Sequence, residues 1–149
     1  MNITFDVAQS YDKEVTPFVL PVMDEMFGGQ HKTLIHEATK IWVNVFAGDT
    51  QIGCFSMVPK NNAYIEFHFC IAKEYRHKHT KQMLESARNW MFENIGEQYN
   101  SIATTCPDLY QNVIYLLNLF DFKKVGTVKN GFNGLLGTCD LHTYQLERF

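Results

Sequence analysis

The amino-acid sequence opens with alternating apolar and polar residues over Asn2–Ala8, a pattern that predicts a half-buried β-strand. Over Ser10–Phe27 the apolar residues recur at helical spacing instead. Because proline removes a backbone donor and crowds the preceding turn, Pro17 and Pro21 predict a helix that starts late, kinks or splits. Gly28–Gly29 is expected to end it.

Period-two alternation returns after this helix and persists through three segments. Lys40–Asp49 and Thr50–Pro59 are predicted strands joined by a hairpin at Gly48–Thr50. A second turn, with the sequence KNNA, leads into a third strand at Tyr64–Ala72. Three consecutive antiparallel strands are therefore expected at the centre of the fold.

The period changes from 2 to 3.6 after Arg76, which predicts a long amphipathic helix with one apolar stripe: Met83, Leu84, Ala87, Trp90 and Met91. Ser101–Cys106 is a predicted fifth strand. Pro107–Asp108 is then expected to open a short helix that runs to Phe120, since proline is favoured at the first helical position.

The C-terminal part of the chain predicts an antiparallel pair of strands, Phe122–Val128 and Thr138–Phe149. The glycine-rich segment between them, KNGFNGLLG, is expected to be a flexible hairpin loop at Lys129–Gly137. The order strand, helix, three strands, helix, strand, helix, two strands predicts a mixed α/β (α+β) fold. Residues 1–149 are expected to form one domain.

Composition narrows the possible functions. The chain of 149 residues is 46% hydrophobic and has a formal net charge of −3, which disfavours disorder and a broad nucleic-acid-binding surface. No segment predicts a signal peptide or a membrane span. The four cysteines show no CxxC spacing, so free thiols and a reducing, cytoplasmic location are expected. No metal site is expected, because His77 and His79 have no further cluster to complete one.

One segment is rich in basic residues although the chain as a whole is mildly acidic. Arg76, His77, Lys78, His79 and Lys81 crowd the join between the third central strand and the long helix. Two explanations remain open at this point. Either the turn binds an anion, or it is a solvated surface corner.

Two segments carry a family resemblance. Ile71–Asn94, with the sequence IAKEYRHKHTKQMLESARNWMFEN, resembles the fourth strand, pyrophosphate loop and following helix of the GCN5-related N-acetyltransferase (GNAT) superfamily. Val113–Gly126 is similar to the helix, Gly–Phe corner and next strand of that superfamily, with Phe122 as the aromatic residue and Asp121 where glycine is usual. A weaker likeness is to small internal or head-associated virion proteins of podoviruses.

The resemblance implies a mostly antiparallel, twisted sheet of six or seven strands flanked by three or four helices. It also implies that acetyl-CoA is the acyl donor. The pyrophosphate-binding positions would be Arg76, His77, Lys78, His79, Thr80 and Lys81. Backbone groups of the splayed fourth strand would bind the pantetheine arm, at Cys70, Ile71 and Ala72, and Asn112 would lie beside the arm.

Two departures from the family pattern matter. His79 and Lys81 stand where small residues normally let the backbone approach the diphosphate, and they could obstruct it or point outward and add positive charge. The tyrosine that protonates the departing thiolate in many members would fall near Leu117. Tyr110 and Tyr115 are near in sequence, but neither replaces it automatically, because a helix turns about 100° per residue.

The predicted strand Tyr64–Ala72 also supplies candidates for a general base. Glu66 and His68 share one face because strand side chains alternate, and either could accept the proton of an amine. A wet strand face, or a Glu–His pair that satisfies itself, is the structural alternative. His142 lies on a late strand that borders the acceptor groove in the family.

Together these features predict an N-acetyltransferase acting on a protein lysine, a protein N-terminus or a small amine. The acceptor pocket is expected at Phe27–Lys40 and Asn130–Gly137. The alternatives are a catalytically degenerate GNAT-fold phage protein, acting as a virion component or host-interaction module, and an acyl-CoA sensor. A homodimer or a virion assembly is an open possibility, and neither nucleic acid nor membrane is an expected partner.

Overall fold

The structure is a computed structural model that describes residues 2–28 and 40–148, with the backbone alone for residue 77. Its seven strands are β1 (Ile3–Val7), β2 (Ile41–Ala47), β3 (Thr50–Lys60), β4 (Tyr64–Ile71), β5 (Ser101–Pro107), β6 (Lys123–Gly134) and β7 (Gly137–Glu147). Its three α-helices are α1 (Thr16–Phe27), α2 (Arg76–Asn94) and α3 (Gln111–Leu119). A π-helical turn, Tyr11–Val15, precedes α1, and a 3₁₀ turn, Lys73–Tyr75, precedes α2.

All seven strands form one sheet in the order β1-β2-β3-β4-β5-β7-β6. Every neighbouring pair is antiparallel except β4 and β5, which run parallel. The predicted fold class and the predicted order of elements are confirmed. The first helical region is split into the π-helical turn Tyr11–Val15 and α1, which is one of the three predicted outcomes. Pro17 stands in the first turn of α1, where its missing N–H group costs nothing.

The alternation predicted for β4 sorts its side chains onto two faces. Ile65, Phe67 and Ile71 enter the main core, which α2 and α3 cover with side chains such as Met83, Leu84, Ala87, Met91 and Leu117. Cys70 faces the other way, against Val15 and Val19 at the start of the first helical region. Glu66 and His68 share this second face, so α1 and the polar side chains of β4 lie on the same side of the sheet.

The parallel ladder between β4 and β5 is short. It joins only Tyr64–Glu66 to Ser101–Ala103. Beyond these residues β4 continues along β3 to Ile71, while β5 continues along β7 to Pro107. The two strands therefore separate toward their C-terminal ends, as the GNAT resemblance implies, and leave a gap beside the turn into α2.

Pro107 does not open α3, and that prediction is wrong. Pro107 is the last residue of β5, paired with Leu141, and its carbonyl accepts the N–H of Tyr110 at 3.0 Å. This carbonyl closes a tight turn, so the helix begins only at Gln111.

The glycine-rich segment is also not the predicted hairpin loop. β6 runs through it to Gly134, and only Leu135 and Leu136 separate β6 from β7. The extra residues are absorbed by an irregularity in the strand pairing between Val128 and Phe132, where Asn130 takes a left-handed conformation with φ of 53°. Such bulges let a strand absorb added residues without ending.

Gly53 permits the close approach of β3 to β4 and provides a test of the sheet. A Cβ atom on Gly53 would lie 2.5 Å from the carbonyl oxygen of Cys70 and 2.6 Å from Cδ1 of Ile71. We expect Gly53→Ala to lower the free energy of unfolding by about 1–3 kcal/mol, the usual cost of overpacking. Denaturant unfolding would measure it.

Gly126 on the edge strand β6 is the matched control, because a Cβ atom added to Gly126 would meet no atom within 4 Å. Gly126→Ala is expected to change the free energy of unfolding little. Equal stabilities of the two variants would contradict the register between β3 and β4.

Candidate active site

The start of α2 is electrostatically unusual. The residue before it, Tyr75, provides no side-chain cap, and its first turn contains no acidic residue. The backbone N–H of Arg76 donates to the carbonyl of Lys73 in the preceding 3₁₀ turn. The first N–H groups of a helix have no partner within the helix and carry partial positive charge. Here Arg76 and Lys78 add full positive charges to the same end, which favours a bound anion.

The guanidinium group of Arg76 already contacts a carboxylate. Its two terminal nitrogens lie 2.5 and 2.9 Å from the carboxylate oxygens of Glu25 on α1, and its Nε donates to the carbonyl of Ile71 at 3.0 Å. The hydrogen bonds from Arg76 hold the pKa of Glu25 below its ordinary value. A diphosphate at this turn would therefore have to displace Glu25 from Arg76.

The remaining predicted loop residues differ in exposure. Lys78 and Lys81 are exposed, so the side chain of Lys81 extends to solvent and does not fill the turn. His79 is half-buried. The hydroxyl of Thr80 is buried and has no hydrogen-bond partner among the described residues. His77 lies in the first turn of α2.

The hydrogen bonds of β4 determine which of its backbone groups are free for the predicted contacts with a pantetheine arm. The N–H of Ala72 donates to the carbonyl of Ile52 on β3 at 2.9 Å, so this group is not free, and the prediction for Ala72 needs correction. Backbone groups of alternate residues point to opposite sides of a strand. Those of Cys70 therefore face β3, so the prediction for Cys70 needs the same correction. The backbone groups of Phe69 and Ile71 face the gap. Sequence reasoning missed Phe69, although this alternation could have indicated it.

Glu66 and His68 contact each other on the second face of β4. Nε2 of His68 lies 2.9 Å from Oε1 of Glu66, and Nζ of Lys60 lies 3.8 Å from Oε2. The hydrogen bond from His68 is the main cause that lowers the pKa of Glu66. Glu66 and His68 therefore hydrogen-bond to each other. Because 27% of the Glu66 side chain and 42% of the His68 side chain stay exposed, substrate or water can reach both.

Two buried polar groups lie beside His68 on the neighbouring strands β3 and β2. Ser56 pairs with His68 in the register of β3 and β4, and Trp42 pairs with Ser56 on β2. The Ser56 hydroxyl and the Trp42 indole N–H are both buried without a hydrogen-bond partner among the described residues. Unpaired buried donors are costly, which makes this row a natural place for a polar ligand or water.

Three positions in or beside α3 bear on the choice of a proton donor. Leu117 is buried in the main core, and Tyr115 is 66% exposed. Tyr110 is half-buried against the ring of Phe132, at a centroid distance of 5.9 Å. Burial is the main cause that raises the pKa of Tyr110. The thiols of Cys106 and Cys139 and the carboxylate of Glu25 act in the same direction, whereas Arg76 acts in the opposite direction. Asn112 is exposed in the first turn of α3.

His142 does not present a free ring nitrogen. Its Nε2 lies 2.8 Å from Oδ1 of Asp108, and its Nδ1 lies 2.8 Å from Oγ1 of Thr127. The His142 side chain is 9% exposed. His142 thus ties β7 to β6 and to the turn after β5, and it is a poor candidate for contact with an acceptor.

Two segments are predicted to form the acceptor pocket, Phe27–Lys40 and Asn130–Gly137. Residues 29–39 lie outside the described part of the chain. Within the second segment, the N–H of Leu135 donates to the carbonyl of Met26 at 2.8 Å, and the rings of Phe27 and Phe132 lie 5.5 Å apart. The β6–β7 hairpin therefore packs on the C-terminal end of α1, close to Glu25 and Tyr110.

Two other findings concern residues 2–28 and 40–148 alone. In this part of the chain no helix combines the length and apolar character needed to cross a membrane. Nor do three or more His, Cys, Asp or Glu side chains come together there in a way that could hold a metal ion.

Solved structures share this architecture over nearly the whole chain. A GCN5-related N-acetyltransferase from Kribbella flavida aligns with a TM-score of 0.75 at 16% identity, covering 98% of each chain. A GNAT-family acetyltransferase from Elizabethkingia anophelis, with acetyl-CoA bound, aligns with a TM-score of 0.69 at 14% identity, covering 99% of each chain. The chain has the fold of the GNAT superfamily.

A third GNAT-fold structure is the spermidine/spermine N-acetyltransferase of Vibrio cholerae. It aligns with a TM-score of 0.75 at 15% identity, covering 98% of this chain and 95% of that one. No protein-family model matches the sequence, and no curated protein does. The likeness is thus one of fold, carried by the geometry of the sheet more than by shared residues.

The ion pair between Glu25 and Arg76 makes a pH-dependent prediction. In the wild-type protein the carboxyl of Glu25 should titrate below its ordinary pKa, and Arg76→Gln should raise that midpoint. A carboxyl whose pKa is lower in the folded state stabilises the fold above its ordinary pKa, and this contribution is lost as the pH falls through the folded-state pKa. Carbon-detected NMR of the carboxyl groups would measure the midpoint.

The stability difference between wild type and Arg76→Gln should be small, about 1 kcal/mol or less at neutral pH, because both side chains are about one-third exposed. This stability difference should become smaller at pH values below the titration midpoint of Glu25. The titration of Glu66, which is paired with His68, serves as the internal control and should not move. An unchanged Glu25 midpoint in the variant would contradict the ion pair.

Proposed function

We propose that this protein is an N-acetyltransferase that transfers the acetyl group of acetyl-CoA to a primary amine. The observation that carries the proposal is the gap between β4 and β5, which opens beside an uncapped, cationic helix N-terminus. In this arrangement an elongated donor with a diphosphate can lie with its arm along β4 and its charge at α2. Structural neighbours with the same fold support the proposal, and one of them contains acetyl-CoA.

The proposed donor site uses backbone groups first. N–H groups of the first turn of α2 would bind the diphosphate, with Arg76 as the charged partner after it leaves Glu25. The exposed Lys78 and Lys81 would add positive charge from the rim. The gap-facing backbone groups of Phe69 and the N–H of Ile71 would bind the pantetheine arm, since the Ile71 carbonyl accepts from Arg76.

The proposed chemistry is direct attack by a neutral amine on the thioester carbonyl. A backbone N–H of β4 stabilises the oxyanion, and Glu66, kept ionised by its lowered pKa, accepts the amine proton directly or through water. Tyr110, kept protonated by its raised pKa, gives a proton to the departing thiolate. The products are an N-acetyl amine and CoA.

A second candidate is a GNAT-fold protein without catalysis, such as a virion component or a host-interaction module. Two observations favour it. Arg76 is already neutralised by Glu25, and Leu117 provides no hydroxyl where many family members have tyrosine. The two candidates differ in whether the native protein binds acetyl-CoA at all.

The proposed donor site predicts that substitutions of Arg76 and of Glu25 have opposite effects on the binding of acetyl-CoA. Saturating acetyl-CoA should raise the melting temperature of the wild-type protein, since a ligand that binds only the native state stabilises it. Arg76→Glu should abolish the shift. Glu25→Gln should lower the Kd for acetyl-CoA about two- to fivefold, because Arg76 no longer has to leave a carboxylate worth up to about 1 kcal/mol.

Lys124→Glu is the matched control for the charge reversal, because Lys124 is exposed on the edge strand β6 and is not part of the N-terminus of α2. It should bind acetyl-CoA like the wild type. No thermal shift in the wild-type protein at millimolar acetyl-CoA would favour the non-catalytic candidate. Isothermal titration calorimetry would supply the Kd values.

The catalytic part predicts a difference between two tyrosines. With acetyl-CoA and a panel of amines that includes spermidine, Tyr110→Phe should reduce kcat by about 10- to 100-fold, while Tyr115→Phe should leave it unchanged because Tyr115 is exposed. Glu66→Gln should reduce kcat by about 100-fold or more. Thiol release would be followed spectrophotometrically.

Acetyl-CoA binding that persists in Glu66→Gln and Tyr110→Phe would show that these losses arise in the chemical step. Binding by the wild-type protein without turnover of any amine would instead support an acyl-CoA sensor. Equal activity of Tyr110→Phe and Tyr115→Phe would remove Tyr110 from the proposed mechanism.

A further inference from the structure

Two free cysteines face each other across the centre of the sheet. Cys54 on β3 and Cys70 on β4 are direct partners in the antiparallel register. Both side chains lie on the face covered by the first helical region, in one cluster with Val15 and Val19. Cys54 is fully buried, whereas Cys70 is half-buried and therefore reachable from solvent.

The surroundings shift the pKa values of the two thiols in opposite directions. A hydrogen bond from Cys54 is the main cause that lowers the pKa of Cys70, and the positive charges of Lys40 and Arg76 act in the same direction. The hydrogen bond to Cys70 and burial both raise the pKa of Cys54. Cys70, which is also the more exposed of the two, therefore has the greater thiolate character, and thiolate character determines reactivity toward oxidants.

We propose that Cys70 is a site of oxidative modification by peroxide and that Cys54 is its resolving thiol. The Cys70 thiolate attacks one oxygen of hydrogen peroxide, breaks the O–O bond and becomes a sulfenic acid, and the released hydroxide takes up a proton to form water. The Cys54 sulfur then attacks the sulfenic sulfur, an S–S bond forms and a second water leaves. Two thiols are oxidised, and one peroxide is reduced to two waters.

The register permits the disulfide. The hydrogen bond from the Ala72 N–H to the Ile52 carbonyl, two residues away on each strand, places Cys54 and Cys70 at a hydrogen-bonded position of the ladder. The Cα atoms at such positions lie about 5.5 Å apart, within the range that disulfides span. The Cβ atoms must move closer, and a strained disulfide is more easily reduced. The modification is therefore expected to reverse under mild thiol treatment.

The same chain contains an internal control. Cys106 is buried in the main core, and burial raises the pKa of its thiol to about 12. Its register partner on β7 is His142 and not a cysteine, although the Cys139 thiol is near enough to help raise its pKa. Peroxide at neutral pH should therefore oxidise Cys70 at least about a hundredfold faster than Cys106.

The experiment treats the native wild-type protein with hydrogen peroxide at pH 7, followed by alkylation and peptide mass spectrometry. We expect a crosslink between the Cys54 and Cys70 peptides that mild reductant removes, with Cys106 still alkylated. Oxidation of Cys106 as fast as Cys70, or Cys70 oxidised without the crosslink, would overturn the proposal. This outcome does not depend on whether the protein transfers acetyl groups.

Variants assign the two roles. In Cys54→Ser the sulfenic acid on Cys70 should persist long enough for trapping by a dimedone-type reagent. In Cys70→Ser, Cys54 should remain reduced, because it is buried and holds its proton. Cys106→Ser is the matched control and should form the crosslink at the wild-type rate. Rapid oxidation of Cys54 in Cys70→Ser would overturn the assignment of roles.

Discussion

The architecture of the candidate site depends on the early end of one parallel ladder. β4 and β5 pair over three residues each, and then each strand follows its other neighbour. Strand backbones that lose a partner in the interior of a sheet leave hydrogen-bonding groups that must be satisfied by something else. The gap therefore demands a ligand or water, and the strand that borders it leads directly into the N-terminus of α2.

The crowding of cationic side chains at this N-terminus has a physical explanation in the structure. Positive charge at the positive end of a helix is unfavourable, and part of that cost is offset because Glu25 pairs with Arg76. Arg76 also donates to the carbonyl of Ile71, which has no strand partner. The same side chain therefore satisfies one backbone group at the gap and closes the turn. Lys78 and Lys81 are exposed to solvent, and a bound diphosphate would replace Glu25 with a stronger partner for Arg76.

Sequence reasoning succeeded where the signal was local. Alternation in Tyr64–Ala72 placed Glu66 and His68 on one face, and the change of period at Arg76 located the start of α2. It could not find the pairing of Arg76 with Glu25, because the partners are 51 residues apart and only packing of α1 on the sheet brings them together. It misread Pro107, since a proline that ends a strand and one that opens a helix have the same local signature. The β6 bulges depend on pairing with β7, which glycine content does not reveal.

The most direct test of the central claim is to map acetyl-CoA onto the backbone by amide NMR of the wild-type protein. The account predicts that chemical-shift changes concentrate on two segments, Phe67–Ile71 of β4 and Arg76–Lys81 of α2, and that the change at Arg76 is matched by one at Glu25. Shift changes confined to other parts of the sheet, or none at saturating concentration, would contradict it.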